Sequence, residues 1–522
     1  MSAAPTNSTG TVPTGGPPGE LAGGVLGLPS VLFCIVTGAA PLAAMLFNVP
    51  VATLGGGYAS PAAFLVATIA LTIFSVGYIA MARRVTSAGG FYTFVSRGLG
   101  RVPGLGVGYL IALCYIIFSA AVLGVTSYFA STTVATITGV DLPAWLYMII
   151  GLVLVSLFAW FHIELTAKVL GVLLIGEVLV LAVMAVGIFA VGGAEGLSLA
   201  PLNPVNIFDN SAAVEVFGGG AAGIALFGAF WSWVGFEMAP NYAEETRDPH
   251  KIAKTATYGS VIGLGVFYVI MSYAFVTGWG LTGSASAVKS QYAGEIASAF
   301  YPLTDRYVGS WLTLLMEILI VTGSFACTMS FYNTGARYLF ALGREGVLPG
   351  ALARTSKRRS PAAASMTVTG IVALYCLAFV IYDPSTEGAL LKLGTWSPLL
   401  GVLGILAVQA LVSIAIIRYF LTSGKSDFHW WTTLVAPLIG FAAMVVACVL
   451  LVANRGDLSG AADAVYIEIL PWVVLVIFVI GMAVAAYLRS SAPDRYARIG
   501  QFELTDSPDP RRSTDETTGA PA

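Results

Sequence analysis

The chain has 522 residues and a net charge of −2; 57% of its residues are hydrophobic and only 10% charged, with a mean hydropathy of +0.85. Soluble domains carry about 25% charge, so a soluble enzyme or a nucleic-acid-binding protein is excluded and a polytopic membrane protein is expected. The apolar runs are continuous rather than alternating, which excludes a spanning barrel and predicts helices of about 20 residues.

Residues 1–28 are rich in Pro, Gly, Thr and Ser and contain no Lys or Arg. The basic region and cleavage site of a secretory signal are absent, so a disordered cytoplasmic tail is expected there. Span 1, near 29–52, contains Val36-Thr37-Gly38-Ala39-Ala40-Pro41. Pro41 cannot donate to the preceding turn but suits the first position of a new half-helix. A helix broken there exposes backbone N–H groups that attract an anion through the helix dipole. Spans 2 to 4 lie near 59–82, 104–135 and 143–162, and span 5 near 167–191 carries Glu177.

Span 6, near 216–241, reads Ala229-Phe230-Trp231-Ser232-Trp233-Val234-Gly235-Phe236-Glu237. Gly235 is its weak point, and Trp231, Ser232 and Trp233 are expected to line a cavity beside it, where ring faces gate the cavity or hold an ammonium. Glycines Gly218, Gly219, Gly220 and Gly223 read as close helix packing. Span 7 lies near 257–279, and the longest loop, about 280–309, is too short for a catalytic domain. Span 8 (310–340) carries Glu317; spans 9 to 12 lie near 365–382, 393–417, 432–452 and 467–488. The polar segment 491–522 is expected to be a second disordered tail.

Placing the N-terminus in the cytoplasm leaves only Lys289, Arg306, Lys392 and Arg455, of the 25 Lys and Arg, on the other side. The positive-inside rule then sets both termini in the cytoplasm. Trp145, Trp279, Trp311, Trp472 and Trp430–Trp431 fall at span ends, at headgroup depth. Arg outnumbers Lys, 18 to 7, a bias of GC-rich bacteria, which points to a bacterial plasma membrane.

All three histidines (His162, His250, His429) sit at span ends or in loops, and Cys34, Cys114, Cys327, Cys376 and Cys448 fall in apolar runs without CxxC spacing. No disulfide framework, metal site, cofactor or nucleic-acid partner is indicated, and the absence of a Walker loop argues against an ATP-driven pump. Charges inside spans are costly and mark functional positions. Glu177, Glu237 and Glu317 are such positions, and a desolvated carboxyl can exchange a proton nearer neutrality. An acidic interior favours a cation: a proton, Na+ or a substrate amino group. Two Gly/Pro-interrupted spans at matching positions of two halves point to a secondary transporter. A channel or receptor, the competing class, predicts a continuous polar pore or a large ligand domain, and neither is present in the sequence.

Several stretches resemble the amino acid–polyamine–organocation (APC) superfamily of permeases. GFEMAPNYAEETRDPHK matches its GFE…AEET pattern (Gly235, Glu237, Glu244, Glu245, Pro249, Lys251), and MARRVTSAGGFYTFVSRGLGR its Gly-Gly loop after span 2 (Gly89, Gly90, Tyr92, Gly100), with Thr86 at the usual Pro. FYNTGARYLFALGREGVLPGAL matches the signature ending span 8 (Asn333, Arg337, Arg344, Gly346, Pro349). Ser360-Pro361 matches the pair before span 9, and HIELTAKVLGVLLIGEVLVL the run into span 5.

The resemblance covers about 29–420 and implies an all-α polytopic fold of twelve transmembrane helices. Spans 1–5 and 6–10 would form two inverted repeats with spans 1 and 6 unwound, so that 29–418 is the transport core and 419–490 adds helices 11 and 12. It implies that Thr37, Gly38, Ala39 and Ala40 hold a substrate carboxylate through backbone amides. Trp231 falls at a gating aromatic and Glu237 at a carboxylate tied to substrate or proton. With Lys168 aligned to the family's basic residue, Glu177 stands where several relatives have a lysine in place of a bound sodium, with Ser324 and Thr328 as neighbours. The function implied is proton- or Na+-coupled movement of an amino acid or small organic amine. An exchanger and a polyamine- or ethanolamine-type carrier are the alternatives within the class.

Overall fold

The computed structural model describes residues 27–85, 89–159, 163–209, 211–217, 220–238, 249–356, 360–461 and 463–500. Among these, all regular secondary structure is helical, and nine stretches are long and apolar enough to cross a membrane. Proline stands in the first turn at Pro29, Pro41, Pro50 and Pro61, where its missing N–H has no partner to lose.

The first apolar run is not one helix. α1 (Leu28–Ala39) stops at Ala40, and α2 (Pro41–Ala43) passes through a π-helical turn, Ala44–Asn48, into α3 (Val49–Gly56). α4 (Ser60–Ala82) follows, and the loop after it folds as α5 (Gly90–Gly98). α6 (Arg101–Thr138), the longest described helix, is buried along nearly all its length and ends on left-handed Gly139. α7 (Ala144–Phe158) and α8 (Ile163–Val191) follow.

Two short helices, α9 (Asn206–Asp209) and α10 (Ser211–Phe217), lead to α11 (Ala222–Ser232), the apolar part of the expected sixth span. After α12 (Pro249–Trp279), the segment expected to be a loop folds as α13 (Gly283–Tyr292) and α14 (Phe300–Tyr307). α15 (Ser310–Arg344) and α16 (Ala362–Tyr382) follow; α17 (Thr386–Gly388) leads through a second π turn, Ala389–Leu393, into α18 (Gly394–Thr422). A third π turn, Trp430–Val435, opens α19 (Ala436–Ala453), and α20 (Arg455–Ser459) precedes α21 (Val465–Ser491).

α6 is the central post, packed by α15, α18 and α21. A Cβ on Gly481 of α21 would lie 2.7 Å from the Cα of Gly106 on α6, so these backbones touch, as small residues allow between apolar helices. Gly223 likewise meets the Leu450 carbonyl, its Cβ position 2.5 Å away. α16, α19 and α21 turn Leu374, Ile381, Val446, Val449 and Val476 outward, the apolar perimeter a bilayer requires.

One expectation is corrected at the C-terminal end. The polar composition after Ser491 predicts disorder from its first residue, but α22 (Pro493–Arg498) forms and Ile499 is buried. The Arg101 guanidinium lies over the Tyr496 ring at 5.4 Å. The Gly500 N–H donates to Glu345 Oε1 at 3.2 Å and to the Tyr92 hydroxyl at 3.1 Å, and that hydroxyl donates to Glu345 Oε2. A Cβ on Gly500 would stand 2.4 Å from that of Ser96. One apolar side chain and a satisfied backbone thus hold a segment whose average composition is polar. The 1–26 and 501–522 parts of the two tails lie outside the described residues.

Candidate functional site

The break in the first apolar run follows from Pro41. A residue before proline is disfavoured in the right-handed helical region, and Ala40 adopts φ 40°, ψ 74°, the one non-glycine with positive φ among the described residues. The carbonyls freed by the break find side chains: the Tyr268 hydroxyl donates to the Ala39 carbonyl at 3.0 Å, and the Cys327 thiol to that of Gly38 at 3.1 Å. The Thr37 hydroxyl is buried without a hydrogen-bond partner.

α11 ends at Ser232 in two tight turns, with Trp233 N–H donating to the Phe230 carbonyl and Val234 N–H to that of Trp231. Gly235 then takes φ +118°, open to glycine alone at low cost, before a 3-10 turn over 236–238. The two breaks abut, since a Cβ on Gly235 would lie 3.3 Å from the Gly38 carbonyl carbon. Asn48 and Ser232 join them, the amide donating to the hydroxyl at 2.8 Å.

Between the breaks lies a cavity with about 30 Å³ open to the centre of a water-sized sphere, more than the 10–15 Å³ or so that one water needs on that measure. Gly38, Ala39, Ala40, Ala43, Ala44, Phe47 and Asn48 form one wall. Trp231 forms another, edge-on to Phe47 with centroids 5.1 Å apart. Val122 and Val125 of α6 and Cys327 and Phe331 of α15 complete it. Trp233 stands on the other side of the break, packed against Phe64 and Tyr268 with its Nε1–H donating to the Val261 carbonyl at 3.4 Å. Two residues apart on a helix, the two tryptophans cannot share a face.

Both acids are buried, and neither lines the cavity. Glu237 Oε2 accepts from the Gly235 N–H at 3.0 Å and Oε1 from the Tyr115 hydroxyl at 2.7 Å, while the Tyr78 hydroxyl donates to its backbone carbonyl at 2.8 Å. Glu237 therefore ties the second break to α4 and α6. Around it, Tyr115 stacks on Tyr338, Phe236 meets Phe74, and Tyr78 packs on Phe91 and Phe94 of α5.

Glu177 Oε2 accepts from the Leu42 N–H at 3.3 Å, in the first turn after the other break. This internal carboxylate occupies the backbone donor that the sequence reserves for an anion. On α15 it meets Gly323, whose added Cβ would lie 2.3 Å from Oε1. Ser324 donates to the Ile320 carbonyl at 2.6 Å; Thr328 donates to that of Ser324 at 3.0 Å and lies 3.4 Å from the Thr126 hydroxyl. Glu317 is half-buried and lies outside this cluster.

Sequence reasoning missed Asn48, Tyr115, Gly323 and the bonding role of Cys327. A lone amide in an apolar run was a usable signal for Asn48. The others look like ordinary helix positions until the fold brings their partners. Residues 239–248, with Glu244 and Glu245, lie outside the described residues.

A family model described as amino acid permease matches residues 26–486. The low-affinity putrescine importer PlaP of Escherichia coli (strain K12) is 23% identical over 322 residues, 61% of this chain and 67% of the importer. The branched-chain amino acid permease BcaP of Bacillus subtilis (strain 168) is 24% identical over 378 residues, 68% of this chain and 72% of that permease. The D-serine/D-alanine/glycine transporter of Escherichia coli (strain K12) is 28% identical over 175 residues, 33% of this chain and 34% of the transporter. These relatives are transporters, not enzymes.

Proposed function

The chain belongs to the amino acid permease family of the APC superfamily, and from that premise we propose that it is a proton-coupled secondary transporter of an amino acid or small organic amine in a bacterial plasma membrane. The observation that carries this reading is the abutting of two broken helices around a cavity, with a buried carboxylate bonded to the backbone at each break. We count twelve spans: the first 48-residue apolar stretch, Ile35–Ala82, holds two, and the shorter apolar helices Ala144–Phe158 and Ala222–Met238 add two more. The breaks then open spans 1 and 6, the first helices of two inverted five-helix repeats. The charge asymmetry supports cytoplasmic termini.

In this mechanism the backbone from Thr37 to Ala40 and the half-helix starting at Pro41 receive the substrate carboxylate at their positive end, beside the Leu42 N–H that Glu177 holds. Trp231 gates the cavity, with Ser232 fixing its helix end to Asn48. Gly235 and Glu237 form the hinge of span 6, and Trp233 anchors it to α4 and α12. Glu177 is the coupling group, flanked by Ser324 and Thr328. As a carboxylate it accepts a charge-assisted bond from Leu42; protonation weakens that bond and loosens α8 from the first break. Proton occupancy thereby biases the rocking of the repeats that alternates access.

The test is uptake into proteoliposomes with pH and Na+ gradients imposed separately. We expect saturable uptake with counterflow, driven by the pH gradient. Glu177→Gln should lose gradient-driven accumulation by about tenfold or more while retaining counterflow. Accumulation that survives the substitution would refute the coupling role, and non-saturating ionic current would refute the carrier.

A further inference from the structure

We propose that the cavity selects α-amino acids with small, uncharged, apolar side chains and rejects diamines, basic amino acids and polyols. This deepens the transporter reading and rests on it.

The inference comes from what the walls lack. Among the described residues, no carboxylate, guanidinium or ammonium lines the cavity, and Asn48 is the one lining side chain bearing an amide or hydroxyl. One of the two Asn48 amide N–H groups is taken by the Ser232 hydroxyl. The two acids that could receive a second ammonium are turned elsewhere: both Glu237 oxygens are bonded by Tyr115 and Gly235, and Glu177 is bonded to Leu42. A diamine or a lysine side chain would bring a second positive charge out of water against Val122, Val125 and Phe331, with aromatic ring faces but no carboxylate among the described lining residues to pair it. A polyol would bury several hydroxyls with the same deficit. An aliphatic side chain suffers neither penalty and replaces contacts that the walls otherwise lack.

Size acts in the same direction. Val122 and Val125 stand on α6 and Cys327 and Phe331 on α15, two unbroken helices packed along each other. They form a fixed back wall. Substrate length is therefore limited by side chains that the helix breaks do not move, which makes Val125 a specificity residue.

The experiment loads proteoliposomes containing the full chain and measures uptake of alanine, valine, leucine, threonine, lysine, putrescine and ribose under an imposed pH gradient. Alanine, valine or leucine should accumulate about tenfold or more above lysine, putrescine and ribose. Valine should exceed threonine, since an apolar pocket disfavours an added hydroxyl by up to about a hundredfold. Val125→Ala should lower the KM for leucine relative to alanine, and Val125→Asp should admit lysine or putrescine. If lysine, putrescine or ribose accumulates as well as the aliphatic amino acids on the unsubstituted chain, the specificity inference is overturned and the carrier stands. If no solute is taken up, the carrier reading falls and the inference falls with it.

Discussion

The Glu177 carboxylate of α8 seats against Gly323 of α15, across the helix interface. A glycine in a membrane helix announces close packing without saying what packs there. The structure answers that its missing side chain makes room for the Glu177 carboxylate. Gly323→Ala should therefore displace Glu177 from the Leu42 N–H and phenocopy Glu177→Gln in pH-driven uptake. The overpacking should lower stability by about 1–3 kcal/mol, read as a drop in the detergent unfolding midpoint. Wild-type accumulation in that variant would separate the two residues. The tryptophans teach a related lesson: helical spacing alone puts Trp231 and Trp233 on different faces, yet their shared position beside Gly235 made both look like cavity residues.

At the scale of elements, breaks were easier to read than turns. Pro41 and Gly235 each remove something a helix needs, a donor in one case and a conformational restraint in the other. The three π turns shift the helical register by a single residue, and nothing in their composition signals it. The helices α13 and α14 are too polar to stand out as apolar runs, so the sequence there resembles a loop. Ala40 offers a test of the first break. An L-residue in the left-handed region costs about 1–2 kcal/mol, so Ala40→Gly should raise the unfolding midpoint in detergent. Ala40→Val, with a branched side chain at the same φ, should lower it. The reverse order would mean that the break is not held in this conformation in solution.

The family was legible at the scale of the whole molecule because its motifs occur in order along the chain, whereas the seat of the C-terminal segment was not, because its three parts are far apart in sequence. Burial pushes the Glu345 carboxyl up to about 7 from an ordinary value of 4.5, against bonds from Tyr92 and Gly500 and the nearby Arg344 charge, which favour ionisation. Undocking residues 493–500 returns Glu345 to water. The docked state thus holds its proton more tightly: this contribution to docking is complete below about pH 4.5 and is lost as pH rises through about 7. Hydrogen exchange in 493–500, corrected for intrinsic rates, should accelerate from about pH 5 to about pH 7.5, and Glu345→Gln should flatten that profile. A profile unchanged by the substitution would remove Glu345 from the seat.

Gly500 bonds to Tyr92 and Glu345 across separations of 408 and 155 residues. The segment that fills this seat leaves the ribosome only after α21 has been made. A nascent or prematurely terminated chain therefore carries Glu345 and the Tyr92 hydroxyl without their Gly500 partner, whatever the state of its helices. Closure of the seat therefore comes after synthesis of both of its partners and of the helices between them.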